Sequence, residues 1–84
     1  MGMLINNLLM TIEQREIKRI LARNIKKYRA RLKITQELAA ERAGITLKYW
    51  QRLEMTSQID LPSLPTLFLL AKVLKISPSR LLDF

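Results

Sequence analysis

Between Ile17 and Leu32, apolar residues recur at intervals of three and four positions. This spacing places them on one side of an amphipathic helix and leaves basic residues on its other sides. Thr11 begins the sequence Thr-Ile-Glu-Gln, a capping box in which the Thr hydroxyl and the Gln side chain bind the first unpaired N–H groups of a helix. The pattern therefore predicts a first helix from Thr11 to between Arg31 and Lys33.

Two short helices separated by a tight turn are predicted next. Thr35 can cap a run of strong helix formers over residues 36–43, and Gly44 stops that run. Thr46 can cap a further helix over residues 47–55. Only about three residues then separate the two helices, which is the length of a helix-turn-helix connection.

Two more helices follow a loop that shows no periodicity. Ser63 is a good N-cap for residues 64–74, and Ser77 precedes Pro78, which suits the first position of a helix over residues 78–83. No strand pattern is visible in the sequence. The predicted fold class is therefore all-α, a compact bundle of five helices.

The length of 84 residues corresponds to one domain, and an apolar content of 49% is enough to form its core. We divide the chain into an N-terminal arm, residues 1–10, and a domain, residues 11–84. The arm contains the apolar segment Met3–Met10, which is short and is interrupted by Asn6 and Asn7. Neither a secretory signal nor a membrane span is expected, and a cytoplasmic protein is the default expectation.

Charge and composition favour a nucleic-acid partner and disfavour catalysis. The net charge is +8, and nine of the fifteen basic residues lie between Arg15 and Lys33, a concentration typical of nucleic-acid binding. The chain has no cysteine and no histidine, which excludes disulfides, most zinc sites and the usual general base. Glu37 and Glu41 are one helical turn apart but read as surface charges. We expect no enzymatic activity, no metal, no cofactor and no small-molecule ligand.

The spacing within the central pair of helices is specific. Counted from Gln36 as position one, Ala40 falls at five, Gly44 at nine, Trp50 at fifteen and Leu53 at eighteen. A small residue at five lets the two helices approach, and a glycine at nine turns the chain. The two bulky residues anchor the second helix of the pair on the core.

This arrangement resembles the Cro and phage-repressor helix-turn-helix family, also called the xenobiotic-response-element-like family. The resemblance covers roughly Leu21 to Leu82. It includes Arg29, Ile34-Thr35-Gln36-Glu37, Ala43-Gly44-Ile45-Thr46, Arg52-Leu53-Glu54, Pro62-Ser63-Leu64, Leu70-Ala71-Lys72 and Ile76-Ser77 before Leu81-Leu82. It implies a five-helix lambda-repressor-like domain that acts as a transcriptional regulator, expected to be a repressor, on double-stranded DNA.

The resemblance also implies roles for individual residues. The third helix would lie in the major groove, with its outward side chains facing base edges. The implied base contacts are Leu47, Lys48, Gln51 and Arg52, and the implied phosphate contacts are Gln36, Thr35, Thr46 and Lys33. Arg29 and Glu54 look like the paired Arg and Glu of the family, which join the first helix to the end of the third. That pair is expected to be structural.

Four positions depart from the family pattern. Ala39 stands where the family usually has Leu, and Trp50 stands where it has Ile or Val, so the small residue is expected to make room for the indole. Lys33 and Thr56 stand where Gly is common, so the first and third helices are expected to end less regularly.

Two questions stay open at this stage. The fourth helix has core positions Leu64, Leu67, Leu70, Ala71 and Leu74, and Leu69 and Val73 form a second apolar stripe beside them. With Leu82 and Phe84 this stripe is a candidate homodimer interface; the alternative is packing under the arm, Met3–Met10. A protein-interaction adaptor or antitoxin-like partner is the alternative to DNA binding, with Leu69, Val73 and the arm as its docking surface.

Overall fold

The computed structural model describes the backbone of residues 2–58 and 60–83 and the side chains of residues 12–58 and 60–83. Five helices follow one another: α1 (Gly2–Arg31), α2 (Gln36–Ala43), α3 (Leu47–Leu53), α4 (Leu64–Leu74) and α5 (Pro78–Leu81). These described ranges contain no strand, which confirms the all-α fold class. The bounds of α2 and α4 are those predicted, whereas α3 and α5 each end two residues earlier than predicted.

The first helix is longer than the sequence pattern indicates. α1 begins at Gly2, so the predicted start at Thr11 and its capping box are wrong. The segment Met3–Met10 contains no proline or glycine, and adding a residue to an existing helix costs far less than starting a new one. A helix of this length spans about 45 Å, close to the 47 Å long axis of the molecule. The division into an arm, residues 1–10, and a domain stays a prediction.

The core is formed where α1 packs on α3, α4 and α5 and where α2 packs on α3 and α4. Trp50 and Ala39 are both fully buried in it, which agrees with the expected exchange of volume between these two positions. The buried cluster consists of Leu21, Ile25, Tyr28, Ala39, Ala40, Ala43, Trp50, Leu53, Leu67, Leu70, Ala71, Leu74 and Leu81.

The ends of the helices show which capping signals operate. Ser63 accepts a hydrogen bond from the backbone N–H of Thr66 at the start of α4. Ser77 occupies the N-cap position of α5 directly before Pro78, as the sequence predicts, but its side chain makes no capping hydrogen bond. At the other end of α5, Asn24 Nδ2 on α1 donates to the carbonyl oxygens of Leu81 and Asp83, at 2.9 and 3.0 Å.

Lys33 takes the place of a glycine at the end of α1. Its φ of 56° is in the left-handed region, which L-residues seldom adopt and which glycine adopts without strain. The chain therefore reverses at Lys33 through the backbone conformation that glycine favours, although the residue is a lysine. α2 follows this reversal and packs on α3 and α4.

Candidate nucleic-acid interface

Capping residues define α2, α3 and the turn between them. Thr35 Oγ1 accepts from the N–H of Leu38 at 3.0 Å, and Thr46 Oγ1 accepts from the N–H of Tyr49 at 3.1 Å. Gly44 has a φ of 69° and its N–H closes the last turn of α2. Nothing lies within 4 Å of where its Cβ would be. The backbone conformation, and not lack of space, is therefore the reason for glycine at this position.

The two sides of α3 differ sharply. Trp50 and Leu53 are buried in the core. On the opposite side the structure brings together the four predicted base contacts, all of them exposed: Leu47, Lys48, Gln51 and Arg52. A short helix anchored by its inner side thus presents one apolar, one amide and two cationic side chains outward. Sequence reasoning predicted this set as one face.

An acidic partner of Arg52 was missed. Arg52 Nη2 lies 3.1 Å from Asp60 Oδ2, and both side chains are nearly half exposed. Asp60 lies in the loop between α3 and α4, where no periodicity indicates which way a side chain points. An exposed ion pair of this kind contributes little to stability, but it gives the Arg52 side chain a preferred direction.

Glu54 stands at the centre of a hydrogen-bonded network behind α3. Arg29 Nε and Nη2 donate to its two carboxylate oxygens at 2.6 and 3.0 Å. Gln36 Nε2 donates at 3.1 Å, and the indole N–H of Trp50 donates as well. Arg29 Nη1 also donates to the carbonyl oxygen of Ile34 at 2.8 Å. The carboxylate therefore connects α1, α2 and α3.

The network also shows which members sequence reasoning missed. The ion pair between Arg29 and Glu54 was expected. The hydrogen bonds that Trp50 and Gln36 donate to Glu54 were not. The only signal for Trp50 was its position four residues before Glu54, one helical turn away on the same helix. Gln36 was predicted to contact phosphate. In the structure its side-chain amide donates a hydrogen bond to Glu54.

Burial and hydrogen bonding act in opposite directions on Glu54. Burial raises its pKa, while hydrogen bonds from Arg29, Trp50 and Gln36 lower it. The donors prevail, and the pKa of Glu54 lies below its ordinary value of 4.5. The side chain is only 4% exposed, so solvent screens these interactions weakly. Glu54 is thus held as a carboxylate at neutral pH.

We expect the protein to lose stability in acid because of Glu54. A carboxylate with a lowered pKa stabilises the folded state above its unfolded pKa, near 4.5, and this contribution disappears as pH falls through the folded pKa. Each unit of lowering corresponds to about 1.4 kcal/mol. Urea unfolding at pH 7 and pH 3 should show a smaller difference for Glu54→Gln than for the wild type.

The control for this experiment is Glu16→Gln. The pKa of Glu16 is also lowered, chiefly by its hydrogen bond with Arg19, but the pair is exposed. Solvent therefore screens it, and the control should keep the acid sensitivity of the wild type. Equal acid sensitivity of Glu54→Gln and the wild type would contradict the prediction.

The predicted phosphate contacts lie at, or just before, the first turns of α2 and α3. Thr35, Thr46 and Lys33 are exposed, and Gln36 is half-buried. Both threonine hydroxyls accept capping bonds, which leaves each hydroxyl proton available as a donor.

A family model described as Helix-turn-helix matches residues 25–81, about two thirds of the chain. The chain belongs to the helix-turn-helix family of the Cro and phage-repressor type. No curated protein and no solved structure matches it significantly. The five-helix arrangement is thus a lambda-repressor-like helix-turn-helix domain, and the family is one of DNA-binding regulators and not of enzymes.

A buried lysine stands outside the segment that the helix-turn-helix model matches. Lys18 on α1 has no exposed surface, and its Nζ donates to the carbonyl oxygens of Arg52 and Leu53 at 2.8 and 3.2 Å. Sequence reasoning placed basic residues on the solvated side of the first helix. The missed signal is that Lys18 precedes the buried residues Leu21 and Ile25 by three and seven positions, so it lies on their side of the helix.

The apolar surface of this helix-turn-helix domain differs from the predicted one. Leu69 and Val73 are half-buried and pack against the core, so the expectation that they form an exposed stripe is wrong. Leu64, assigned to the core, is 69% exposed, and Phe68 is 59% exposed. The rotation of α4 is set by the buried residues Leu67, Leu70, Ala71 and Leu74, which turn Leu64 and Phe68 outward.

Leu82 is exposed, while Phe84 and the side chains of Met3–Met10 lie outside the described residues. Within the described part of the chain, no helix combines the length and the apolar character needed to cross a membrane.

Proposed function

We propose that this protein is a sequence-specific transcriptional regulator that inserts α3 into the major groove of double-stranded DNA. The observation that carries the proposal is the outward face of α3, where Lys48, Gln51 and Arg52 are exposed together. These are the side-chain types that form hydrogen bonds with base edges in the major groove. A net charge of +8 favours approach to the phosphate backbone.

The proposed base contacts follow from side-chain chemistry. Arg52 forks onto O6 and N7 of a guanine, and Gln51 pairs with N6 and N7 of an adenine. Lys48 reaches a guanine or a phosphate, and Leu47 packs on a thymine methyl group. All four project from a backbone that is anchored from behind by Trp50, so the spacing of the contacts is preset.

The proposed phosphate contacts are Thr35, Gln36, Thr46 and Lys33. Because the Gln36 amide nitrogen already donates to Glu54, we assign its phosphate contact to the backbone N–H groups at the start of α2, where the helix dipole also favours an anion. Lys33 contributes charge. These contacts carry no sequence information but set the orientation of α3 on the duplex.

Repression is the regulatory mode that we propose. A protein bound over a promoter blocks transcription by occupying DNA, and this requires no surface beyond the one that binds DNA. Activation would additionally require a surface that contacts the transcription machinery.

The experiment that tests the function is selection of bound duplexes from a random DNA pool. Affinity for a selected and for an unrelated duplex is then measured at several salt concentrations. We expect one enriched motif, and we expect the logarithm of the affinity to fall with the logarithm of salt by about 0.9 per phosphate contact. Absence of any enriched motif together with a flat salt response would overturn the proposal.

The exposed apolar pair Leu64 and Phe68 favours a second candidate, a protein-interaction adaptor or antitoxin-like partner. Such a protein has no need of cations on the outward face of α3. Binding of a protein with no preference among duplexes would support it, and an enriched DNA motif would count against it.

We further propose that the protein is a homodimer whose two copies meet through Leu64, Phe68 and Leu82 in place of Leu69 and Val73. A two-fold axis would pair two α3 helices with half-sites about one helical turn apart. Phe68 is the aromatic residue among these three, and large aromatic side chains dominate the binding energy of protein interfaces.

Phe68→Ser is expected to raise the dimer dissociation constant by at least about tenfold. Sedimentation equilibrium over a range of concentrations measures it. Leu47→Ser is the control, since it also removes an exposed apolar side chain but lies on the proposed DNA face. An unchanged dissociation constant for Phe68→Ser, or a monomeric wild type, would refute this interface.

A further inference from the structure

The last turn of α3 is completed by a side chain from another helix. The final carbonyl groups of a helix have no partners within it, and glycine in the left-handed conformation commonly closes such an end. Here Glu54 ends the helix with a φ of −89° and a right-handed conformation. The Arg52 carbonyl oxygen accepts from the backbone N–H of Met55 at 3.1 Å. The Lys18 ammonium donates to this oxygen as well, at 2.8 Å, and to the Leu53 carbonyl oxygen at 3.2 Å.

The position of Lys18 makes this contact unusual for a lysine. It is fully buried, although burying a charge is costly unless the charge is paired or bonded. The negative end of the α3 dipole compensates part of that cost, and the Asp60 carboxylate acts in the same direction. Burial lowers the pKa of Lys18, Asp60 opposes this effect, and the Arg52 guanidinium adds to it.

The contact lies directly at a residue proposed to read DNA. The Lys18 ammonium donates to the backbone carbonyl oxygen of Arg52, and the Arg52 side chain pairs with Asp60. Glu54, two residues further along the chain, is held by Arg29. Two side chains of α1 therefore hold the end of α3, one on its backbone and one on its C-cap residue.

We propose that Lys18 is a positioning residue for sequence recognition: its ammonium bonds to the Arg52 and Leu53 carbonyls fix the backbone from which Arg52 reaches a base. The proposal rests on the proposed DNA-binding function. It extends the recognition machinery into the part of α1 that precedes residue 25, where the family match begins. Lys18 itself touches no DNA, because it is enclosed by protein.

The test compares Lys18→Met with Lys72→Met in the full chain. Both changes remove one positive charge, but Lys72 lies exposed on α4 and serves as the control. Dissociation constants are measured at one salt concentration for the selected duplex and for an unrelated duplex of the same length. Urea unfolding of each variant identifies the conditions under which it is fully folded.

We expect Lys18→Met to weaken binding to the selected duplex by about tenfold. This is the size of effect expected when charged hydrogen bonds that hold the Arg52 backbone are lost. Binding to the unrelated duplex should stay within about twofold, because a buried lysine contacts no phosphate. The ratio of the two affinities therefore falls for Lys18→Met and stays constant for Lys72→Met. Lys18→Arg, which keeps the charge but not the geometry, should lie between Lys18→Met and the wild type.

A measurement on the wild type keeps the proposal testable if Lys18→Met does not fold. Nitrogen-detected NMR of lysine ammonium groups should show slow exchange of the Lys18 protons with water and fast exchange for Lys72. This slow exchange should persist in the complex with the selected duplex. Fast exchange of the Lys18 protons would overturn the proposal.

Two further outcomes separate this proposal from the proposed function. If the wild type prefers one duplex and Lys18→Met keeps the same affinity ratio, or weakens both affinities equally, Lys18 is only a structural residue and DNA recognition stands. If the wild type prefers no duplex at all, the proposed function and the role of Lys18 are both refuted.

Discussion

Arg29→Met is expected to lower the free energy of unfolding by about 3 to 5 kcal/mol, the range measured when one partner of a buried ion pair is removed. The change leaves the Glu54 carboxylate, which is 4% exposed, without the two hydrogen bonds from the Arg29 guanidinium. It also removes the donor to the Ile34 carbonyl. Stabilities of small domains are of order 5 to 15 kcal/mol, so such a loss is a large fraction of the stability expected for a protein of this size.

The measurement is urea unfolding of the two single variants and of the double variant Arg29→Met, Glu54→Leu. Removing both partners eliminates the buried unpaired charge, so the double variant should be more stable than the sum of the single losses predicts. Arg19→Met provides the control, because Arg19 belongs to the exposed pair with Glu16 and should cost no measurable stability. A loss for Arg29→Met no larger than that of the control would show that the network does not stabilise the fold.

Arg52→Ala is expected to weaken binding to the selected duplex by about 1 to 3 kcal/mol and to relax the preference at one base pair. The guanidinium can donate two parallel hydrogen bonds to one guanine, and alanine replaces neither. Binding to unrelated duplexes should fall much less, because a single charge contributes little to the salt-dependent term. Repeating the duplex selection with the variant identifies the relaxed base pair.

Arg80→Ala is the matched control for Arg52→Ala. Arg80 is exposed on α5 and is not among the proposed DNA contacts. Its replacement by alanine lowers the net charge by the same amount as Arg52→Ala. Its selected motif should be unchanged. If Arg52→Ala weakened binding to every duplex equally and kept the wild-type motif, Arg52 would be a phosphate contact and would not read a base.

The sequence alone was informative wherever the signal is local. Thr35, Gly44 and Thr46 each act on backbone atoms within a few residues of themselves, so their types and spacing were enough to predict α2, the turn and α3. The same spacing identified the exposed face of α3, because the positions of Trp50 and Leu53 determine which side of a helix is buried.

The misplaced helix start shows a limit of local signals. A capping box at Thr11 is a valid N-terminus only if the preceding segment is not helical. Met3–Met10 has no residue that prevents a helix, and α1 continues through it. Capping residues indicate where a helix is able to begin, but the extension of a neighbouring helical segment takes precedence.

Composition, hydrophobic spacing and capping residues were sufficient to determine an all-α chain, four of its five helix starts, the turn at Gly44 and the outward residues of α3. The tertiary structure decided the rest: that Lys18 is buried against the end of α3, that Asp60 meets Arg52, that Trp50 and Gln36 join Glu54, and that Leu64 and Phe68 face outward in place of Leu69 and Val73. The physical reason is distance along the chain. Caps and turns act between neighbours, whereas the rotation of one helix against another and the pairing of groups from separate helices depend on how the whole core packs.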